Sequence, residues 1–288
     1  MANLLMLSRR RGSDASTLFF DDFSSGDFSK SNANFSWGGR TNVAVISGFS
    51  RAGNTGQCVR FNFGNTANQL SELRFCFGPT NDTTGATALH HPEVWLRYYI
   101  YFPTGNESPF VGPKAVNANA SNNKFFRCFA LPESDYPRYG ASFYRGAGYG
   151  LGSVAVGDAE VGPQAGQYPG TGTVSQVGTS YSSGLLNDST RGQWRKVEWY
   201  CKRSTLGDVG LDNGNGVITM WLDNVLQFSV TNINSYEATP TGPVSGFDGG
   251  YLFGAQDAAW TNAGTYVYLD DFAYSNTRRV PDSVGSSI

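Results

Sequence analysis

The sequence has little histidine, little charge and no closely spaced cysteines, and each shortage removes a class of chemistry. Only 2 of 288 residues are histidine. Both, His90 and His91, precede Pro92 in a turn-like stretch and read as solvent-exposed loop residues. The 4 cysteines, Cys58, Cys76, Cys128 and Cys201, lie far apart without C-x-x-C spacing. That excludes the usual zinc-finger arrangements and points to buried free thiols. Charged residues make up 15% of the chain and the formal net charge is −2, so there is no broad electrostatic case for nucleic acid binding. No apolar run approaches the roughly 20 residues of a membrane span. No EF-hand loop, amphipathic helix of useful length or internal repeat is visible.

What the chain does have is aromatic residues, 14% of the total, and 36 glycines. Low charge with many aromatics and glycine-rich turns favours β structure. Strand-like runs mix β-branched and aromatic residues between Gly, Pro or Asn breaks. They are "TLFFDDF", "VAVIS", "QCVRFNFG", "LSELRFCFG", "VWLRYYIYFP", "KFFRCFAL", "QWRKVEWYCK", "GVITMWLD", "VLQFSVTN", "GGYLFGAQ" and "TYVYLDDFAYS". The "DN" between Leu222 and Val225 marks a tight hairpin, because Asn tolerates positive φ. Residues 140–192 hold 13 glycines and read as a long loop with two short strands, "YGASFYRG" and "YGLGSVAVG"; long ordered loops are often functional. These segments predict an all-β, two-sheet antiparallel jelly-roll sandwich over 18–276. An N-terminal docking arm (1–17) and a C-terminal tail (277–288) flank it.

Two adjacent-aspartate pairs stand out, Asp21–Asp22 and Asp270–Asp271, in the first and last predicted strands. Successive strand side chains point to opposite faces, so neither pair supplies two carboxyls flanking one bond as glycoside hydrolysis needs. Neighbouring terminal strands at one sheet edge would explain them. Asp22 and Asp271 are also candidate ligands for a structural calcium, which takes six to eight oxygens; otherwise they accept backbone N–H bonds at bends.

Alternation assigns faces. Glu72, Arg74 and Cys76 oppose Leu73, Phe75 and Phe77. Trp95, Arg97, Tyr99 and Tyr101 oppose Val94, Leu96, Tyr98, Ile100 and Phe102. Arg60 and Asn62 oppose Val59, Phe61 and Phe63. If these strands are neighbours, one sheet displays a face of Arg, Glu and aromatic rings. Such a face either holds a glycan, through Arg74, Trp95, Arg97, Tyr99, Tyr101 and Arg127, or is a ladder of cross-strand pairs.

The order of "FFDDFSSGDFS", "VWLRYYIYFP", "NNKFFRCFA", "GQWRKVEWYCK", "GVITMWLDNVLQF" and "YVYLDDFAYS" resembles the concanavalin A-like lectin/glucanase superfamily, within it the laminin-G-like and polysaccharide-lyase-like members. The resemblance implies a concanavalin A-like jelly roll and a carbohydrate-related function. Its hydrolases carry an E-x-D-x-x-E strand, and only Glu198 in "VEWYC" stands near one. Its alginate-lyase-like members carry R-x-E-L-R, Q-x-H and Y-x-K-x-G-x-Y strands. Here Glu72, Leu73 and Arg74 match part of the first, with Leu70 at the first arginine's place; the other two are missing.

No catalytic residue is therefore assigned. The expected function is a non-enzymatic, lectin-like structural protein of a virus particle, a phage capsid-decoration or tail-associated component binding host or environmental polysaccharide. In "MANLLMLSRRRGSD" the basic residues follow the apolar run, which is the reverse of a secretory signal. The chain is expected to be made in a host cytoplasm and to end in the virion. Leu4, Leu5, Arg9, Arg10 and Arg11, with Arg278 and Arg279, would dock on other virion subunits in a homo-oligomeric assembly. No cofactor is expected beyond the possible calcium, and no nucleic acid or membrane span. The alternatives are a free carbohydrate-binding lectin and a polysaccharide lyase acting on uronate polymers. The lyase would need Arg74, Arg127 and a tyrosine, Tyr99 or Tyr200 being candidates, to converge in one groove.

Overall fold

The computed structural model describes residues 17–51, 56–63, 69–81, 86–104, 123–130, 138–144, 155–161, 191–205, 214–233, 246–256 and 265–278. Among the described residues there are fifteen strands and no helix. They are β1 (Thr17–Asp21), β2 (Ser31–Asn32), β3 (Phe35–Thr41), β4 (Val43–Ser47), β5 (Gln57–Phe63), β6 (Gln69–Cys76), β7 (Glu93–Tyr101) and β8 (Asn123–Phe129). β9 (Arg138–Tyr144), β10 (Ala155–Val161), β11 (Trp194–Lys202), β12 (Gly216–Leu222), β13 (Val225–Ile233), β14 (Gly249–Gln256) and β15 (Thr265–Ser275) complete the set. All pairings are antiparallel. The first sheet runs β13-β12-β11-β7-β15-β5-β4, with β1 on β15, and the second runs β10-β9-β8-β14-β6-β3-β2. This is the two-sheet jelly roll that the segment pattern predicts. Of the stretch 140–192, the described parts are β9, β10 and the approach to β11.

The core lies between the sheets. β7 contributes Val94, Leu96, Tyr98 and Ile100, with Phe102 directly after it, and β11 contributes Val197, Trp199 and Cys201. Facing them are Leu73, Phe75 and Phe77 of the β6 segment, and Phe125, Phe126 and Cys128 of β8. Trp199 stacks on Phe126 across the interior, with ring centroids 4.4 Å apart and planes 10° apart. Its indole N–H donates to the Tyr98 hydroxyl at 3.0 Å, and burial pushes the Tyr98 phenol up. All four cysteines are buried free thiols. β3 escapes the sequence reading because Gly38 and Gly39 interrupt it. Its Phe35 and Trp37 are nevertheless core residues, and its register with β6 slips between Trp37 and Arg40.

β1 and β15 are neighbours, with Asp21 opposite Phe272. β1 has β15 as its one described partner, whereas β15 lies inside the sheet between β7 and β5. The β12–β13 hairpin turns through Asp223 and Asn224, both at positive φ (48° and 70°). That is the geometry that matches strand twist in a two-residue loop.

Candidate functional site

The structure separates residues that the alternation grouped together. β7 belongs to the first sheet, and β6 and β8 to the second. Trp95, Arg97, Tyr99 and Tyr101 therefore sit on the outer face of one sheet, and Arg74 and Arg127 on the outer face of the other. Tyr99 and Tyr200 cannot join Arg74 and Arg127 in one groove, because the whole sandwich lies between them.

The outer face of the first sheet is closed by its own side chains. Trp95 stacks on Tyr200 (4.2 Å, 24°) and on Trp221 (5.7 Å, 22°). Arg278 covers Trp221 at 4.1 Å and donates to Glu198 at 3.3 Å, so the structure uses this arginine within the chain. Glu198 is 2% exposed and also has Lys196 at 3.7 Å. Burial lowers the Lys196 ammonium, against the pull of Glu198. Arg97, Tyr99 and Tyr101 are all buried. The Arg51 guanidinium lies 3.9 Å from the Tyr99 ring centre, and Phe49 packs on Tyr101, Trp194 and Tyr268. A sugar stacking on this face would have to displace those contacts.

The aspartates are structural anchors in this fold. Asp21 is fully buried and accepts the Phe23 amide at 2.8 Å and the Trp37 indole N–H at 2.7 Å. Burial nevertheless raises its carboxyl above the usual range. Asp22 points the other way, accepts from Ser24 and has Lys30 at 3.9 Å. Asp270 and Asp271 do not obey alternation. The register slips between Asp270 and Ala273, Asp271 has φ 49°, and inward positions pass from Val267 and Leu269 to Phe272 and Tyr274. This bulge lets both carboxylates reach Arg51: Asp270 accepts its amide at 2.9 Å, Asp271 its Nε at 2.7 Å. Among the described residues no group of three or more His, Cys, Asp or Glu side chains is placed to hold a metal ion.

The histidines divide: His90 is exposed, as the sequence leads one to expect, and His91 is not. His90 is half-exposed and shares a 2.7 Å hydrogen bond with buried Asp248. His91 is partly buried, edge-on to Phe77 and Tyr274, and burial lowers its imidazole below the usual value.

The outer face of the second sheet carries a different arrangement. Tyr251 of β14 is the register partner of Arg74 on β6 and of Arg127 on β8. Arg127 in turn faces Gly140 on β9. Three side chains on adjacent strands thus form one row, Arg74–Tyr251–Arg127. The Arg74 guanidinium and the Lys124 ammonium each lie 5.5 Å from the Tyr251 ring centre. Glu72, two residues before Arg74 on the same face, accepts from its Nε, which fixes the guanidinium. The Phe129 ring packs on Tyr251, with centroids 5.6 Å apart. The Arg74 side chain is 34% exposed, while Arg127 and Tyr251 are each 1% exposed. Among the described residues this face brings Arg74, Lys124 and Arg127 together with Glu72, a set of charges that suits an anionic ligand. Sequence reading found Arg74 and Arg127 but missed Tyr251 in "GGYLFGAQ", since only sheet order shows that it lies between them. The docking residues Leu4, Leu5, Arg9, Arg10, Arg11 and Arg279 lie outside the described residues.

No protein-family model and no curated protein sequence matches the chain. Solved structures do. The chain is similar to alginate lyase vAL-1 from Chlorella virus, with TM-score 0.53, 10% identity, and 84% of this chain and 93% of that one covered. It is similar to alginate lyase Aly36B in complex with alginate tetrasaccharide, with TM-score 0.50, 12% identity, and 88% and 96% covered. It is also similar to endo-beta-1,4-glucuronan lyase from the fungus Trichoderma reesei, with TM-score 0.50, 10% identity, and 91% and 96% covered. At such identities the likeness establishes the jelly-roll fold.

Proposed function

We propose that this chain recognises a uronate-containing polysaccharide on the outer face of the second sheet and acts on it as a lyase. The observation that carries the reading is the shared register of Arg74, Tyr251 and Arg127. Elimination of a uronate needs its carboxylate neutralised, which acidifies the neighbouring C5 hydrogen, and a base to remove that proton. Arg74 and Arg127 supply the positive charge and Tyr251 the base. The electron pair from the C5–H bond forms the C4=C5 double bond, and the C4–O bond breaks. The leaving sugar oxygen takes a proton from water or from a protein donor. The fold shared with an alginate lyase and a glucuronan lyase supports the same substrate class.

A second reading, binding without cleavage, is favoured by the burial of Tyr251, which keeps a base away from solvent and sugar. That lectin-like role rests on the catalytic motifs missing from the sequence, and its placement in a virus particle on the apolar-basic arm at 1–17. Incubation with alginate and with polyglucuronate separates the readings. Unsaturated products detected by ultraviolet absorbance support the lyase. Salt-sensitive retention on the immobilised polymer without product supports the lectin. Neither product nor retention overturns both. Co-sedimentation of the chain with particles on a density gradient tests the virion placement.

A further inference from the structure

We propose that Lys124 of β8 is a specificity-determining residue of the second-sheet site. Across Tyr251 from Arg74, it gives the ligand a second cationic contact, so that the face selects a polymer with carboxylates on more than one sugar. The proposal rests on this face being the one that takes polyuronate. Lys124 reaches it through a break in alternation. The β8–β9 register slips between Lys124 and Phe126, with Lys124 opposite Ser142 and Phe126 opposite Ala141. Phe125 is the extra residue, and Phe125, Phe126 and Cys128 all lie in the core. In an unbroken strand Lys124 would share the inward face of Phe126 and Cys128. The bulge sends it outward instead, and it stays partly exposed.

β14 departs from alternation at the same level. Leu252 and Phe253 are both core residues, and Phe253 has φ 59°, which is uncommon for a bulky side chain. Its register partner is Glu72, on the outer face, while the Phe253 ring packs inward on Phe61, Phe63 and Phe125. Gly254 follows at φ +136°. A Cβ there would come 2.9 Å from the Tyr251 Cε2 and 3.2 Å from the Lys124 Cδ, so the lysine stem lies against a position that has no side chain. Two local distortions on neighbouring strands, of the kind that cluster at ligand sites, thus leave the ammonium 5.5 Å from the Tyr251 ring centre. Arg74 comes to the same distance from β6, on the other side of β14. Arg74 and Lys124 both keep exposed surface, whereas Arg127 is 1% exposed. Cations on either side of one strand match carboxylates carried by different sugars of one chain.

The test is binding of polyglucuronate and of alginate across a range of salt, with a neutral β-glucan as control. Lys124→Met keeps an unbranched stem against Gly254 and removes the charge. It is expected to weaken polyuronate binding about tenfold at low salt, the scale of one charge-assisted hydrogen bond, and the deficit should shrink as salt is raised. Lys124→Arg should keep most of the binding. Equal binding by Lys124→Met and the unmodified protein at low salt overturns the role of Lys124 alone. So does a deficit that is the same at high salt, which marks a structural loss. No binding of either polyuronate by the unmodified protein overturns the site reading and this proposal with it. The unmodified protein decides even where a variant fails to fold. An oligouronate of three sugars should displace the polymer at a lower carboxylate concentration than monomeric glucuronate, and equal potency per carboxylate overturns the two-point contact.

Discussion

Arg51 donates to Asp271 through both Nε and Nη2, and the two residues are 220 positions apart in sequence. The carboxylate is 2% exposed and the guanidinium 14%. Removing one partner of a buried pair leaves an uncompensated charge, which costs about 3–5 kcal/mol. Arg51→Ala is expected to lose stability on that scale in urea unfolding, and Arg51→Lys, which keeps charge but not the fork, to lose less. The same pairing bears on the calcium expectation for Asp22 and Asp271. With Asp271 saturated by arginine, millimolar calcium is expected to leave the melting temperature unchanged. A calcium-dependent rise that disappears in Asp22→Ala would establish the ion site instead.

Tyr251 and Arg74 separate binding from chemistry. Tyr251→Phe deletes a hydroxyl and keeps the ring that Arg74 and Lys124 flank. It is expected to cut product formation by about 10²–10⁴-fold, the usual weight of a general base, while retention on immobilised polymer stays. Arg74→Ala is expected to weaken retention and to flatten its dependence on salt, because it removes a charge that salt screens. Equal loss of retention in both variants would mean that the hydroxyl binds rather than reacts.

The histidine and the buried aspartate predict two pH effects of opposite sign. Burial holds His91 below its ordinary value of 6.5. Above 6.5 the folded and unfolded chains are both neutral there, and nothing is contributed. As the pH falls below 6.5 the unfolded chain takes the proton first, so stability declines until the folded value is passed. Asp21 is raised above 3.8 by burial, which outweighs its hydrogen bonds from Trp37 and Phe23. Its charge therefore costs stability at neutral pH. That cost is relieved as the pH falls through the folded value towards 3.8. Urea midpoints across pH should show the first decline shrink in His91→Gln and the second relief shrink in Asp21→Asn. Unchanged curves in either variant would remove that residue from the linkage.

The two-sheet fold was legible because thirteen of the fifteen strands announce themselves by aromatic and β-branched runs; β2 is two residues long, and the Gly38–Gly39 pair hides β3. The neighbouring terminal strands and the Asp223–Asn224 hairpin were legible for local reasons, matching motifs and turn chemistry. The candidate site was half legible. Alternation put Arg74 on the polar side of its strand, and Arg127 stood beside it among the glycan candidates, but a period of two cannot say which sheet a strand joins. Trp95 and Arg74 therefore looked like neighbours, and Tyr251, which lies between the arginines, went unnoticed. The bulge at Asp270 and Asp271 broke the same rule from within a strand.

Trp199 offers a measure of how the two sheets are held together. Its ring is fully buried and stacks on Phe126 from the opposite sheet, while its N–H uses the Tyr98 hydroxyl as acceptor. Trp199→Ala should cost about 3–5 kcal/mol, the transfer energy plus the cavity left behind. Tyr98→Phe is expected to cost about 1–3 kcal/mol, because it takes the acceptor away and leaves the donor buried. Adding Trp199→Phe to Tyr98→Phe removes the donor too, so the double variant should be less destabilised than the sum of the two singles. A sum that is simply additive in chemical unfolding would show that this hydrogen bond, made within the first sheet between β11 and β7, contributes nothing beside the ring packing that joins the sheets.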